Sequence, residues 1–332
     1  MSKMVSLPGG IKAITAATRQ KFQIAILCVL CFAVWDFRNC EAGESGETEV
    51  EELRWDEAAR QVDSFPFSAG FIDSVRSHHK VSYTPGKPLR LMSPGPFFTP
   101  ETLVYKVSWG PFNAGYVVLA TLYDSLDGVV RVGGKALSNN FISAFYRMRD
   151  YAISTIDVKG NYPVFFEQHL REGKRFRANE YILFDPSAGR VYMQKRKSFR
   201  VVGTTPFIHD YLSVLYSIRS CRSLTPGDTF TERIFVSSKE YPMIFSVHES
   251  QAREVDAGSF PVVLLTPRLV GEGRAFNKHD KLEIWISNDR RHLPVVIRSK
   301  IKFGSINARL IWYNGALSTL QDTSRHERDM GD

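Results

Sequence analysis

Four carboxylates, Asp157, Glu167, Glu180 and Glu249, sit in or beside segments of alternating hydrophobicity. Two of them facing one another would suit acid–base hydrolysis of a glycosidic bond, which needs a pair of carboxyl groups at a set separation. Nothing in their spacing says which two share a face. Cys221 is a candidate nucleophile, and its nearest histidine, His209, comes twelve residues earlier. At ~100° per residue that offset puts them ~120° apart on one helix, so a packed cysteine is the simpler reading. His78 and His79 are adjacent and diverge on any regular element, so a metal site would need ligands from elsewhere. Gly133-Gly134-Lys135 lacks the spacing of a phosphate loop, and Gly271-Glu272-Gly273 lacks the third glycine of a dinucleotide loop. The chain contains neither His-Glu-x-x-His nor Gly-x-Ser-x-Gly. No residue is therefore assigned to catalysis, to a metal or to a cofactor.

The positive signal is cationic and aromatic. Arg171, Lys174, Arg175 and Arg177 lie close together, and Arg190, Lys195, Arg196, Lys197 and Arg200 follow. Phe176, Tyr181, Phe184, Tyr192 and Phe199 interleave with them. Arg175, Arg177, Lys195 and Lys197 are candidate ligand residues for a phosphate-bearing or acidic amphiphile. Arg298, Lys300 and Lys302 form a second candidate row. The alternative is a solvated face whose cations guard strand edges against pairing. The whole chain has 43 basic and 35 acidic residues, net +8. Residues 43–63 hold two basic and eight acidic residues, net −6, whereas residues 64–320 hold 34 and 21, net +13. So basic a body prefers anionic partners: an anionic lipid or amphiphile, with peripheral membrane contact; the alternative partner is an envelope protein.

These groups must be carried by strands. Leu103, Tyr105, Val107 and Trp109 alternate with Val104, Lys106 and Ser108. A turn over 110–113 leads into 116–123. Further expected strands are 128–137, 151–158, 163–171, 174–184, 190–197, 229–237, 241–250, 260–267, 281–287, 294–303 and 306–313. In the strand 294–303, Val295, Ile297, Ser299, Ile301 and Phe303 share one face, and Val296, Arg298, Lys300 and Lys302 share the other. Two segments have helical spacing instead, one after Asn139-Asn140 and one over 211–219 after Pro206, with Arg219 at the favourable C-terminal end. Short turns between strands imply antiparallel neighbours. The expected class is α+β and mainly antiparallel β: a large curled sheet, open or half barrel, with two short covering helices.

Before this domain, Lys3, Lys12, Arg19 and Lys21 precede an apolar run from Ile24 to Trp35, too short for the ~20 residues that span a membrane. That is the pattern of a secretory signal over 1–42, with cleavage after Ala42; the alternative is an inner-membrane anchor through 22–35. Cleavage would leave Cys221 as the one cysteine. With no Asn-x-Ser/Thr sequon, the simplest location is the periplasm of a Gram-negative bacterium, and export argues against nucleic acid as partner. Residues 43–100 read as an acidic then Pro-rich arm, partly disordered, with a short helix over Leu53–Val62. The β-rich domain is expected over 101–315, followed by a disordered tail over 316–332.

The stretch Trp285-Ile-Ser-Asn-Asp-Arg-Arg-His-Leu-Pro294, running into Arg298-Ser-Lys-Ile-Lys-Phe-Gly304, resembles the C-terminal signature of domain-of-unknown-function family 3108, a group of exported bacterial proteins. Glu101-Thr-Leu-Val-Tyr-Lys-Val-Ser-Trp109 followed by Ala114-Gly115 resembles the family's opening hairpin, and His209 to Arg219 its central helix. The motif residues carried by this resemblance are Trp109, Gly115, Arg219, Trp285, Pro294 and Gly304. The family carries no assigned activity. The order of elements is similar, at fold level, to periplasmic lipoprotein carriers, which hold acyl chains between a curled sheet and covering helices. The resemblance implies non-catalytic binding of a lipid or other anionic amphiphile. A structural scaffold of the envelope and an envelope glycan hydrolase are the competing readings.

Overall fold

The computed structural model describes residues 69–81, 86–92, 99–173, 175–221, 223–271, 281–301 and 304–315. The expected signal or anchor, the Leu53–Val62 helix, Lys302 and the 316–332 tail lie outside them. In chain order the elements are α1 (Ala69–His78), β1 (Glu101–Trp109), β2 (Phe112–Asp124), β3 (Val129–Ser138), α2 (Asn140–Tyr146), β4 (Arg149–Asp157), β5 (Tyr162–Glu172), β6 (Phe176–Asp185), β7 (Arg190–Lys195), β8 (Ser198–Gly203), α3 (Tyr211–Cys221), β9 (Thr229–Val236), β10 (Lys239–His248), β11 (Arg253–Val255), β12 (Gly258–Phe260), β13 (Val262–Leu269), β14 (Lys281–Ser287), β15 (Pro294–Ile301) and β16 (Gly304–Gly315).

All but β11 and β12 join one 14-stranded antiparallel sheet in the order β8-β7-β6-β5-β4-β3-β2-β1-β16-β15-β14-β13-β10-β9. Laid flat, this sheet would hold β8 and β9 about 60 Å apart at ~4.8 Å per strand. Instead Ser198 and Arg200 of β8 line one cavity with Ser238 of the β9–β10 turn. Just past β8, Thr205 donates from its amide and its hydroxyl to Glu240, at 2.7 and 2.6 Å. The sheet has therefore curled until its edges approach, without pairing to each other. It is an open barrel, as the strand number requires.

Alternation along each strand builds the two surfaces. Val295, Ile297 and Ser299 are buried on the inner side of β15, with Ile297 opposite Ile284 and Ala308. Lys300 is exposed on the other side, so the expected register of this strand holds. Its outer face is drier than expected, however. Val296 is buried too, and the β11–β12 hairpin packs outside β15 and β16 with Val255 and Phe260 in the core. That hairpin and β8 are additional to the expected strands; both are too short for a period of two to stand out.

Two glycines of the family motif answer to geometry. Gly115 has φ 151° beside a bulge between Val107 and Ser108, and a Cβ there would lie 2.1 Å from the Leu137 carbonyl oxygen. Gly304 turns β15 into β16 at φ 96°, with Trp109 Nε1 3.4 Å from where a Cβ would be.

Helix α2 is capped by Asn139, whose Oδ1 accepts from the Ile142 amide at 2.9 Å. Helix α3 enters the barrel, where Leu212, Val214, Tyr216 and Ile218 join Leu103, Tyr105 and Val107 in the main core. The remaining helix, α1, was not expected: besides the two covering helices, the one helix read in the arm was over Leu53–Val62, and residues 69–78 carried none. Ten residues with no acidic residue in the first turn carry little helical signal of their own. Tertiary packing supplies it, with Phe71 stacked on Tyr181 at 5.5 Å and tilted against Phe165 at 6.2 Å on the outer face of β5 and β6. Farther along the arm, Arg90 donates to the carbonyls of Gly160 and Asn161, and the Leu89 amide donates to the Tyr162 hydroxyl. Residues 89 and 90 of the Pro-rich stretch are thus strapped to the β4–β5 turn.

Candidate functional site

Helix α3 is fastened along its whole length by polar side chains. Asp210 caps it, its Oδ1 accepting from the amides of Leu212 and Ser213 at 2.8 and 2.9 Å. The second oxygen accepts from the Ser154 hydroxyl of β4 at 2.7 Å. Midway, Asn161 donates to Ser217 at 2.8 Å. At the far end Arg219, 5% exposed, grips Glu101 with two nitrogens at 2.8 and 2.7 Å. It also donates to the carbonyls of His292 and Arg291, and lies 4.7 Å from the Tyr216 ring. Burial works against the guanidinium charge; the Glu101 carboxylate more than offsets it and raises the Arg219 pKa. Beside it the Tyr105 hydroxyl donates to the Pro294 carbonyl at 2.8 Å. Arg219 was expected to serve the helix dipole; its main partner is instead a side chain 118 residues away.

Next to the N-terminus of α3, His209 is buried, and burial holds its pKa down at about 3. Its backbone pairs with β9: the His209 amide donates to Arg233 and the Phe235 amide donates to His209. His209 is a neutral structural residue 3.2 Å from Ser213 Oγ. Cys221 ends the helix whose approach His209 begins, so the two lie at opposite ends of α3.

The cavity lies at the seam where the sheet's edges meet. Met193, Lys195, Arg196, Ser198, Arg200 and Ser238 surround a cavity of about 230 Å³. Arg196 and Arg200 are exposed, and Lys195 is half-buried. Thr205 and Arg233 both bond Glu240, which ties off one end of the seam. Behind the mouth, register places Ala152, Gln168, Glu180, Lys195 and Ser198 in a row across five strands. Lys195 Nζ donates to Glu180 at 2.9 Å. Gln168 Nε2 and the Tyr211 hydroxyl are buried without a hydrogen-bond partner among the described residues. Burial, then the charges of Asp210, Glu180 and Asp150, raise the Tyr211 pKa well above its usual value. Asp150 is pushed up to about 7 by burial, with Glu172 adding repulsion and the Arg171 amide, 2.6 Å away, opposing.

The structure separates the residues singled out from sequence. Of the candidate ligand cations, only Lys195 lines the cavity. Lys197 is exposed in the β7–β8 turn, Arg175 is exposed in the β5–β6 turn, and Arg177 projects from the outer face of β6. Arg298 is half-buried on the outer face of β15, where it lies 5.1 Å from the Trp285 ring, 3.6 Å from Glu283 and donates to Asn307 at 2.8 Å. Arg253 covers Trp285 as well, at 4.6 Å. Arg298 thus clamps an aromatic ring, and Lys300 stands apart at the end of the strand. Arg196 and Arg200, which line the cavity, were visible only as members of a basic run, and the Ser238 turn had no signal.

The carboxylates do not make a facing pair. Glu167 lies on the outer face of β5, 3.8 Å from His169, which stacks on Tyr151 at 4.3 Å. Glu180 faces inward to Lys195. Asp157 holds the β4–β5 turn by accepting from the Gly160 amide at 2.7 Å, and Glu249 is exposed beyond β10. No group of three or more metal-ligating side chains occurs among the described residues, nor does any helix there have the length and apolarity to cross a membrane.

No curated protein matches the chain. Among solved structures it is similar to a β-barrel-like protein of domain of unknown function DUF1849 from Brucella abortus, at 9% identity and a TM-score of 0.48, covering 66% of this chain and 98% of that one. The family model described as protein of unknown function DUF3108 matches residues 104–311. That span, well over half of the chain, runs from β1 into β16 and takes in Arg219, the seam and the Trp285–Pro294 hairpin, so the chain belongs to the DUF3108 family of proteins of unknown function.

Proposed function

We propose that this protein binds an anionic amphiphile without chemical turnover, as an exported component of the bacterial envelope. The observation that carries the reading is the cationic cavity at the seam, with Lys195, Arg196 and Arg200 around Met193. Its 230 Å³ is below the ~300 Å³ at which pockets enclose a whole drug-sized ligand. The cavity suits a phosphate or carboxylate head group, and α3 occupies the interior where a carrier would store acyl chains. Val202, which follows Arg200 on the inner side of β8, is only partly buried against the core and is apolar surface for the ligand's tail in this reading. Non-catalytic binding fits a site in which the carboxylate beside the cavity's Lys195, Glu180, is held by that lysine.

The test is co-sedimentation with phosphatidylglycerol vesicles against phosphatidylcholine vesicles, paired with mass spectrometry of gently purified protein. Each cation near an anionic surface contributes ~1 kcal/mol, so Arg196→Gln with Arg200→Gln should weaken binding roughly thirty-fold. Half-molar salt should weaken the wild type similarly. If no amphiphile co-purifies and neither vesicle binds, the reading is wrong.

A further inference from the structure

The row of side chains that runs inward from the cavity stays polar across β7, β6 and β5, and it ends on groups with no partner. Lys195, at the cavity, reaches Glu180 on β6 with its ammonium at 2.9 Å. Glu180 stands opposite Gln168 on β5. Gln168 is 3% exposed, and its Nε2 donates to nothing among the described residues. The Tyr211 ring at the start of α3 is T-shaped on Phe166 at 5.0 Å and packs against Leu170 and Ala178. Phe166 and Leu170 flank Gln168 on one face of β5, and Ala178 neighbours Glu180 on the same face of β6, so the ring lies across the Gln168–Glu180 pair. The Tyr211 hydroxyl is buried and also lacks a partner among the described residues. Burial, then the charges of Asp210, Glu180 and Asp150, raise its pKa, so these carboxyl groups surround it.

Buried donors without acceptors are costly, and here two of them border one spot. An amide nitrogen only donates, so the atom that satisfies both groups is an acceptor oxygen. The surroundings decide its charge. Asp210 is spent on the α3 cap and on Ser154, Glu180 is balanced by Lys195, and Asp150 shares the inner face. A further anionic group among these carboxyls would be repelled at low dielectric. A hydroxyl fits: its oxygen accepts from Gln168 and Tyr211, and its proton goes to Glu180, since a carboxylate accepts more than one hydrogen bond. The anionic centre belongs one step outward, where Lys195, Arg196 and Arg200 stand. The Lys195 ammonium already sits at Glu180, so a single strand spacing of ~4.8 Å separates it from Gln168. A short polyol on a phosphate spans that step.

We infer that Gln168 and Tyr211 read a hydroxyl on the ligand's head group, and that the head is a phosphorylated polyol with its phosphate at Lys195, Arg196 and Arg200. This rests on the anionic-amphiphile reading of the cavity and adds to it a preference among anionic heads of equal charge.

Calorimetric titration of the full chain with two soluble short-chain lipids tests it. Dihexanoyl phosphatidylglycerol and dihexanoyl phosphatidylmethanol carry the same charge, and only the first has head-group hydroxyls. The wild type should bind the glycerol lipid about tenfold more tightly, the scale of one or two hydrogen bonds. Gln168→Met with Tyr211→Phe should bind both lipids alike, with the affinity for phosphatidylmethanol unchanged. Arg196→Gln with Arg200→Gln should weaken both and keep their ratio. Tyr211→Phe alone, which removes an oxygen and keeps the packing, should lose part of the preference and decides the matter if the double variant fails to fold. Equal affinities in the wild type would assign the inner spot to ordered water and overturn the inference, with the anionic-amphiphile reading left standing. A preference untouched by Tyr211→Phe and by the double variant would overturn it as well. If the wild type binds neither lipid, the reading of the cavity falls and the inference with it.

Discussion

Arg219 and the seam cations are the same chemistry in opposite surroundings. Arg219 spends its guanidinium on Glu101 and two carbonyls, and is sealed beneath β1 and the 288–293 loop. Arg196 and Arg200 stand in solvent around a cavity. A buried cation with a bidentate partner is a fastening, because removing either member strands a charge in low dielectric. An exposed cation beside a void costs the fold little to keep and is available to a mobile anion. The lesson is that a basic residue is read by its acceptors: Arg219 holds α3 in the barrel, while Arg200 turns its charge to solvent at the cavity.

The sharpest way to break this contrast is Arg219→Leu, which leaves the Glu101 carboxylate buried and unmatched. It should cost about 3–5 kcal/mol in urea unfolding. Adding Glu101→Leu should recover much of that loss, since the two charges no longer need each other. A single variant as stable as the wild type would remove the fastening from the argument.

Next comes Asp150, on the inner face behind the seam. Its folded pKa of about 7 is above its unfolded value, so its contribution is complete below pH ~4 and is lost as pH rises through 7. Asp150→Asn should therefore gain on the wild type between pH 5 and pH 8, by up to ~4 kcal/mol. His209 acts in the opposite sense: its depressed pKa of about 3 withdraws stability as pH falls below ~6.5. Comparing the two proteins at each pH cancels that term. A pH-independent difference would mean that Asp150 is ionised in the fold like any surface carboxylate.

The smallest effect is expected at the seam. Arg200→Gln should shift unfolding by no more than ~0.5 kcal/mol. A loss above 1 kcal/mol would place Arg200 with Arg219 as a fastening and erase the comparison.

Periodicity carried most of the sheet into view from sequence. The alternation of Val295, Ile297 and Ser299 with Arg298 and Lys300 gave the right faces because one side of β15 is packed on the core. Arg298 was read as outward and is outward, but its role as a clamp on Trp285 comes from a cross-strand neighbour that no local pattern reveals. Helix α1 escaped notice because its helicity is induced by Phe165 and Tyr181, nearly a hundred residues later. The seam was half legible. A basic run around Lys195 was plain, but which of its members face one another depends on the curl that brings Ser238 across from Arg200. The Glu101–Arg219 pair had a signal in hindsight: Arg219 is the one charge in α3 and Glu101 the one acid in β1, each within a stretch that resembles a family motif.

The central pairing of the sheet joins β1 to β16, with Glu101 opposite Gly315. Strands β1 to β8 form an up-and-down meander that can assemble through local hairpins as they leave the ribosome. The remaining strands complete the other half later, and β16 emerges last. Until then β1 has an open edge in mid-sheet, and joining the halves closes a loop of over two hundred residues. Topology of this kind puts a slow, non-local step at the end of folding and leaves Leu103, Tyr105 and Val107 exposed to wrong partners during synthesis. The same adjacency brings the two ends of this domain's chain together in space, so a short linker between residues 101 and 315 would allow the chain to be recut in the β2–β3 turn at Leu126, which is 93% exposed, without altering any strand order.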